Sequence, residues 1–234
     1  GMLMIPFRSA APLANPVTNI VIQNNFIRMA QPNSLVTSIY GIFLSNLAVP
    51  SGLDYNVKVY NNTSIIAGTG TLAEDTRCLI FDIPDAVSAN SPSTAEYYNN
   101  VALNLREASA TSQHVGLDFL VEPSTIVTAS DYNTAFSNGA TGTGNHFDFV
   151  DGTFGYTSII SWKSVWCSFP YEQNSANHPV NYDIAYIPTA MNYGDLNAKP
   201  LASVTTDMFG NAKASVYPWR GAVEGPALKV LSVT

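Results

Sequence analysis

The sequence predicts an all-β protein built from two antiparallel β-sandwiches, immunoglobulin-like or jelly-roll-like, in series. Three observations predict it. Short runs alternate apolar and polar residues, most cleanly Asp54-Tyr55-Asn56-Val57-Lys58-Val59-Tyr60. A period of two is the geometry of a half-buried strand, because successive side chains leave opposite faces of a sheet. Turn residues cut these runs at short spacing, and no helical period competes with them.

Residues 2–16 carry Pro6, Pro12 and Pro16 and read as an extended arm able to lie across a neighbouring subunit. Strands are expected at 17–23, 35–47, 54–60, 64–72, 77–83, 99–106 and 113–121. In the last two, Val101, Leu103 and Leu105 share one face, as do Val115, Leu117, Phe119 and Val121. Pro50-Ser51-Gly52, Asn61-Asn62, Glu74-Asp75 and residues 88–96 supply the turns. This spacing predicts a Greek-key sandwich over 17–123. Glu122-Pro123-Ser124 marks a boundary, since proline ends strand pairing. A second sandwich is expected over 124–234, after a Gly/Asn/Thr-rich loop at 130–145. Its strands fall at 146–150, 157–169, 180–187, 201–206, 212–217 and 228–233.

Composition narrows the function classes. Of 234 residues, 46% are hydrophobic, enough for a core, whereas only 12% are charged. The net charge is −7, and the 10 Lys and Arg residues are scattered. No basic patch exists to neutralise phosphates, which argues against nucleic acid and against an anionic membrane surface. Cys78 and Cys167 lie in apolar runs and read as free buried thiols. No run reaches transmembrane length. Gly1 before Met2 reads as a tag remnant, and no signal peptide is seen. The expected location is therefore a virion, or the cytoplasm before assembly.

Two constellations could carry chemistry. His146, Asp148 and Asp151 fall together after the glycine-rich loop, as a metal cluster or acid–base pair would require. The competing reading is a polar strand face ending in an Asp151-Gly152 turn. His114 and Asp118 share a strand face about 13 Å apart, too far to pair, and read as a solvated sheet face. Aromatic residues form the second constellation. Trp162 and Trp166 share a face of the 157–169 strand with Ile160 and Ser164, and Tyr182 and Tyr186 share a face of 180–187. Exposed, such rings would suit sugar stacking; buried, they are the core of the second sandwich. No nucleophile motif or phosphate loop is present, so no enzyme activity and no cofactor are expected.

Two local resemblances add to this. Leu79-Ile80-Phe81, Thr94-Ala95-Glu96-Tyr97-Tyr98 and the alternating Val101, Leu103 and Leu105 resemble the E-to-F region of immunoglobulin-like domains. The intersheet cysteine pair and core tryptophan of that family are missing from 17–123. At 204–220, Thr205-Thr206-Asp207, the Phe209-Gly210-Asn211 turn and Tyr217-Pro218-Trp219-Arg220 resemble a hairpin of tailed-phage tail and virion proteins. That resemblance implies a virion structural module. The expected function is therefore a non-catalytic structural or assembly protein of a phage or prophage virion (tail, baseplate or capsid decoration). It would self-associate in a symmetric assembly. The alternative is a carbohydrate-binding or adhesin module using Trp162, Trp166, Tyr182 and Tyr186, with a glycan as partner.

Overall fold

The computed structural model describes residues 3–6, 18–30, 38–45, 55–68, 75–82, 94–106, 112–119, 127–138, 146–152, 154–166, 171–183, 187–189, 196–216 and 218–224. The strands follow one another in a repeating order of three. The first rung is β1 (Leu3–Pro6), β2 (Thr18–Gln23) and β3 (Phe26–Ala30). The second is β4 (Ser38–Ser45), β5 (Tyr55–Tyr60) and β6 (Thr63–Ala67). The third is β7 (Asp75–Asp82), β8 (Thr94–Tyr98) and β9 (Val101–Asn104). The fourth is β10 (His114–Phe119), β11 (Val127–Asp131) and β12 (Thr134–Ser137). β13 (His146–Asp151), β14 (Phe154–Tyr156), α1 (Ile159–Trp166), β15 (Asn181–Tyr182) and β16 (Pro188–Thr189) complete the elements.

Each strand pairs with the strand three places on, so the chain coils into a parallel β-solenoid with three walls. Sheet A has the order β1-β4-β7-β10-β13-β14, sheet B β11-β8-β5-β2 and sheet C β12-β9-β6-β3. The two antiparallel sandwiches expected from the sequence, immunoglobulin-like or jelly-roll-like, do not form. Among the described residues only β13–β14 and β15–β16 are antiparallel strand pairs. The physical reason is that period two marks a strand and its buried face but not its partner. The immunoglobulin-like stretch 79–105 is one turn of the coil. Sheet A runs without interruption past residue 123, since β10 pairs with both β7 and β13.

Several strands were seen correctly and several were not. β2, β4, β5, β6, β7, β9, β10 and β13 match expected runs; β3, β8, β11 and β12 were unforeseen. The start of the N-terminal arm is β1, aligned in parallel with β4. The 157–169 strand is instead the helix α1. Of the expected 180–187 strand, only Asn181–Tyr182 forms. Within 201–217 the chain makes a single antiparallel bridge, Thr206 to Ala212. The run 228–233 and Cys167 lie outside the described residues. Cys78 is a free, buried thiol, and burial pushes its pKa up.

Two side-chain patterns build the coil. At the turn from sheet B to sheet C, each rung places a residue in the left-handed region: Asn24, Asn61, Asn99 and Tyr132, with φ of 57°, 53°, 61° and 56°. Asparagine tolerates this conformation better than other non-glycine residues. The next residue is Asn25, Asn62, Asn100 or Asn133, and these stack into a ladder with spacings of 37, 38 and 33 residues. Each Nδ2 donates to the Oδ1 one rung on, at 2.9, 3.1 and 3.0 Å.

The second pattern is a bend inside sheet A. The strand register skips Gly41, Cys78, Gly116 and Asp148. There two successive residues turn inward, so Cys78 and Leu79 are both wholly buried in the main core. The bend brings sheet A against sheet C so closely that a Cβ on Gly116 would lie 3.0 Å from Phe136 N. Interior rings stack there: Phe81 on Tyr97 within the third rung at 4.1 Å, and Phe149 on Trp162 at 4.8 Å.

Candidate functional site

The residues foreseen as a metal or acid–base cluster lie inside the coil, where sheet C turns into sheet A. His114 and His146 are register partners in β10 and β13, with ring centroids 4.9 Å apart. Thr76 Oγ1 accepts from Asn104 Nδ2 at 2.8 Å and lies 2.6 Å from His114 Nδ1. With one proton and two lone pairs, that hydroxyl fits either tautomer of His114. Ser137 Oγ donates to His114 C=O at 2.8 Å, so at 3.0 Å from His146 Nδ1 it can only accept. His146 is thus protonated on Nδ1 and presents a lone pair at Nε2. Among the described residues neither Nε2 has a hydrogen-bond partner.

Asp148 is buried and committed elsewhere: Oδ1 accepts from Ser137 N at 2.8 Å and Oδ2 from Asn177 Nδ2 at 2.9 Å. Asp151 is also buried and faces the Tyr156 hydroxyl at 3.3 Å. Among the described residues no three His, Cys, Asp or Glu side chains gather as a metal would need. Asp118 pairs with Arg77 rather than with His114.

The electrostatics of this interior are finely opposed. Burial, then the neighbouring His146 imidazole and Arg106, lower the His114 pKa to about 4, against a smaller upward pull from Asp75. Burial lowers that of His146 as well. Burial raises Asp148 to about 6, against the downward pull of its bonds from Asn177 and Ser137. Between pH 6.5 and 4 the unfolded chain takes up a proton that folded His114 refuses, so acid removes stability. Between pH 6 and 3.8 folded Asp148 holds a proton that the unfolded chain releases, so acid adds stability. At about 1.4 kcal/mol per pKa unit, each effect is about 3 kcal/mol and the two nearly cancel. Asp148→Asn removes the compensating half. Its urea midpoint is expected to fall much more steeply than wild type from pH 6.5 to 4; parallel profiles would refute the assignment.

The aromatic row foreseen on one strand face is not assembled, because 159–166 is helical. Trp162 is fully buried, stacked over Phe149 and Phe119 with Tyr156 at its edge. It plugs the interior beyond the last rung. Trp166 ends the helix. Tyr182 is half-buried and meets Phe26 edge-on at 5.3 Å. Tyr186 lies outside the described residues.

The same end is closed at the ladder. Glu172 takes the left-handed conformation, φ 56°, and donates its N–H to Ser130 C=O at 2.7 Å. Its Oε1 accepts from Asn133 Nδ2 at 3.1 Å and from Ser130 Oγ. Burial, opposed by those bonds, raises its pKa. Ala176 then pairs in parallel with Thr134.

The C-terminal segment 196–224 crosses all four rungs along the outside of this turn. Sequence reasoning took its basic residues as scattered charge, yet Arg220 is its anchor. Buried, it donates to the carbonyls of Asn197 (2.8 Å), Asn133 (3.2 Å) and Asn174 (2.5 Å) and to Thr134 Oγ1 (3.0 Å). Trp219 beside it joins Ile65, Val101, Leu103, Val180 and Leu196 in a second core. The expected Phe209-Gly210-Asn211 turn forms. Asp207 Oδ1 accepts the N–H groups of Phe209 and Asn211, and Gly210 has φ +85°. Burial pulls the Asp207 pKa up, but these bonds outweigh it and the net shift is downward.

The carboxy-terminal segment leaves a cavity of about 360 Å³ beside Asn61. No helix among the described residues is long and apolar enough to cross a membrane. Comparison with protein-family models, with curated proteins and with solved structures finds no match to this chain.

Proposed function

We propose that this chain is a non-catalytic structural protein that works through protein–protein contacts, as a component of a phage or prophage virion. The observation that carries the reading is the unequal treatment of the two ends of the solenoid. One end is closed by β14, Trp162 of α1 and the 172–176 segment. At the other, β1, β2 and β3 each pair on one side only among the described residues. Among the described residues Asn25 is the first amide of the ladder. Free strand edges template pairing unless charge, proline or a bulge blocks them. β2 and β3 together contain one charged residue, Arg28, and no proline. Val21 on β2 is 50% exposed.

A closed end cannot receive an open one without displacing its cap. The open ends of two copies can meet about a symmetry axis, which gives a closed assembly and not a fibre. The virion assignment draws its support from the charge-poor, Asn-, Ser- and Thr-rich composition and from the 204–220 resemblance. Light scattering tests the assembly. The expected mass is a whole multiple of the 25.1 kDa chain. Ile20→Lys, which puts a charge at the half-buried inner face of the open rung, is expected to give the single-chain mass with unchanged circular dichroism. A wild type that stays at the single-chain mass at high concentration would overturn the reading.

A further inference from the structure

Asn24, Asn61 and Asn99 occupy equivalent left-handed positions in three successive rungs, on the side of the coil that the C-terminal segment crosses. Two of them read the main chain of that segment. Asn99 does so twice: Lys199 N–H donates to its Oδ1 at 2.9 Å, and its Nδ2 donates to Lys199 C=O at 2.8 Å. Asn24 Nδ2 donates to Thr206 C=O at 2.7 Å. Between residues 199 and 206 the segment bows away from the middle rung and leaves the cavity of about 360 Å³.

Asn61 lines that cavity. Its side chain is 1% exposed, and its Oδ1 accepts no hydrogen bond. A buried acceptor without a donor is costly, so the position favours whatever supplies an N–H. Pro200, Leu201, Ala202, Val204 and Pro218 give it an aliphatic wall, beside Thr205, Ser215 and Lys199, whose ammonium lies over the Tyr98 ring at 4.0 Å. Lys213, also at the wall, already spends its ammonium on Trp219 C=O (3.1 Å), Gly221 C=O (3.4 Å) and Glu224 (3.2 Å).

We propose that this cavity receives an uncharged, extended peptide segment of a protein partner. A main-chain N–H would donate to Asn61 Oδ1 as Lys199 N–H donates to Asn99, and one aliphatic side chain would lie against Leu201, Val204 and Pro218. The molecule itself displays the recognition mode one rung away, in the two-bond contact of Asn99 with Lys199. The proposal rests on the assembly reading and gives the partner its chemistry.

A matched pair of probes isolates the donor. N-isoamylacetamide carries a secondary amide and an aliphatic body; isoamyl acetate has the same shape with oxygen in place of N–H. In titrations of nitrogen-labelled full-length protein followed by NMR, the amide is expected to shift the Asn61 side-chain signals saturably. The ester should bind about tenfold more weakly, since it leaves the acceptor unpaired. Asn61→Gly keeps the left-handed backbone accessible while deleting the carbonyl, and is expected to abolish the preference for amide over ester. Equal binding of the two probes, no saturable shift, or a preference that survives in Asn61→Gly would each overturn the proposal. Light scattering reads the assembly separately: an oligomer with no amide preference removes this site and leaves the assembly standing. A single-chain mass with the preference intact does the reverse.

Discussion

Asn100→Ala is expected to cost about 4 kcal/mol of unfolding free energy, measured as a lower urea midpoint at unchanged slope. Asn100 sits at 1% exposure in the centre of the ladder. Its Oδ1 accepts from Asn62 N and Asn62 Nδ2, both at 3.1 Å. Its Nδ2 donates to Val59 C=O at 2.9 Å and Asn133 Oδ1 at 3.0 Å. Alanine deletes all four bonds. It leaves two buried donors on Asn62 and one buried acceptor on Val59 short of partners. Asn133 Oδ1 keeps only Asn100 N–H, at 3.1 Å. Each buried group left unpaired costs about 1–3 kcal/mol, and neighbours in one network do not add fully. Asn25→Ala is the internal comparison. It deletes bonds at the half-buried open end, where water replaces them, and is expected to cost about 1 kcal/mol. Equal losses at the two positions would show that the ladder is not a buried network.

The contrast between these two positions also explains what could be read from the sequence. Parity placed strands at 54–60 and 113–121 and found Val57, Val59, Leu117 and Phe119, which are interior, but it put Tyr60, His114 and Asp118 on the opposite face, and these are buried as well. Parity cannot tell a sandwich from a coil, because both bury alternate residues. The missing signal was a period of another scale. Asn-Asn recurs at 24–25, 61–62 and 99–100, and Tyr132-Asn133 follows. Such a recurrence, every 37 or 38 residues, is the mark of a repeated coil whose turn needs one left-handed residue and one ladder amide. Strands buried on both faces gave a second hint, since β9 and β10 are buried throughout, as parallel sheets covered on both sides are. The helix escaped because Ile160-Ser161-Trp162-Lys163 alternates, although Lys163-Ser164 and Val165-Trp166 break the pattern. Only the need to plug the open core with Trp162 selects the helical alternative, and that need is tertiary. The cavity beside Asn61 was illegible for the same reason: it exists only where residues 199–206 pass the rung that carries Asn61, far earlier in the chain.

Gly116→Ala is expected to destabilise the protein by about 3 kcal/mol or more, the second of the two largest effects. A Cβ at this position would lie 2.7 Å from Asp148 C=O, 3.0 Å from Phe136 N and 3.2 Å from Ala102 C=O. All three are main-chain atoms of pinned strands. β13 pairs with β10 itself, while β12 and β9 pair with each other as neighbours in sheet C. No flexible side chain can yield, so one methyl must push the bend of sheet A away from sheet C. That displacement opens the interior around Leu117 and pulls on the bond from Ser137 N to Asp148. Gly210→Ala separates this steric cost from backbone strain. Gly210 has φ +85° and nothing within 4 Å of a new Cβ, so alanine there costs about 1 kcal/mol through conformation alone. Urea unfolding of the two variants decides the matter. If Gly116→Ala is no more harmful than Gly210→Ala, sheets A and C do not meet as closely as the bend requires. The packing of neighbouring rungs around this glycine would then have to be redrawn.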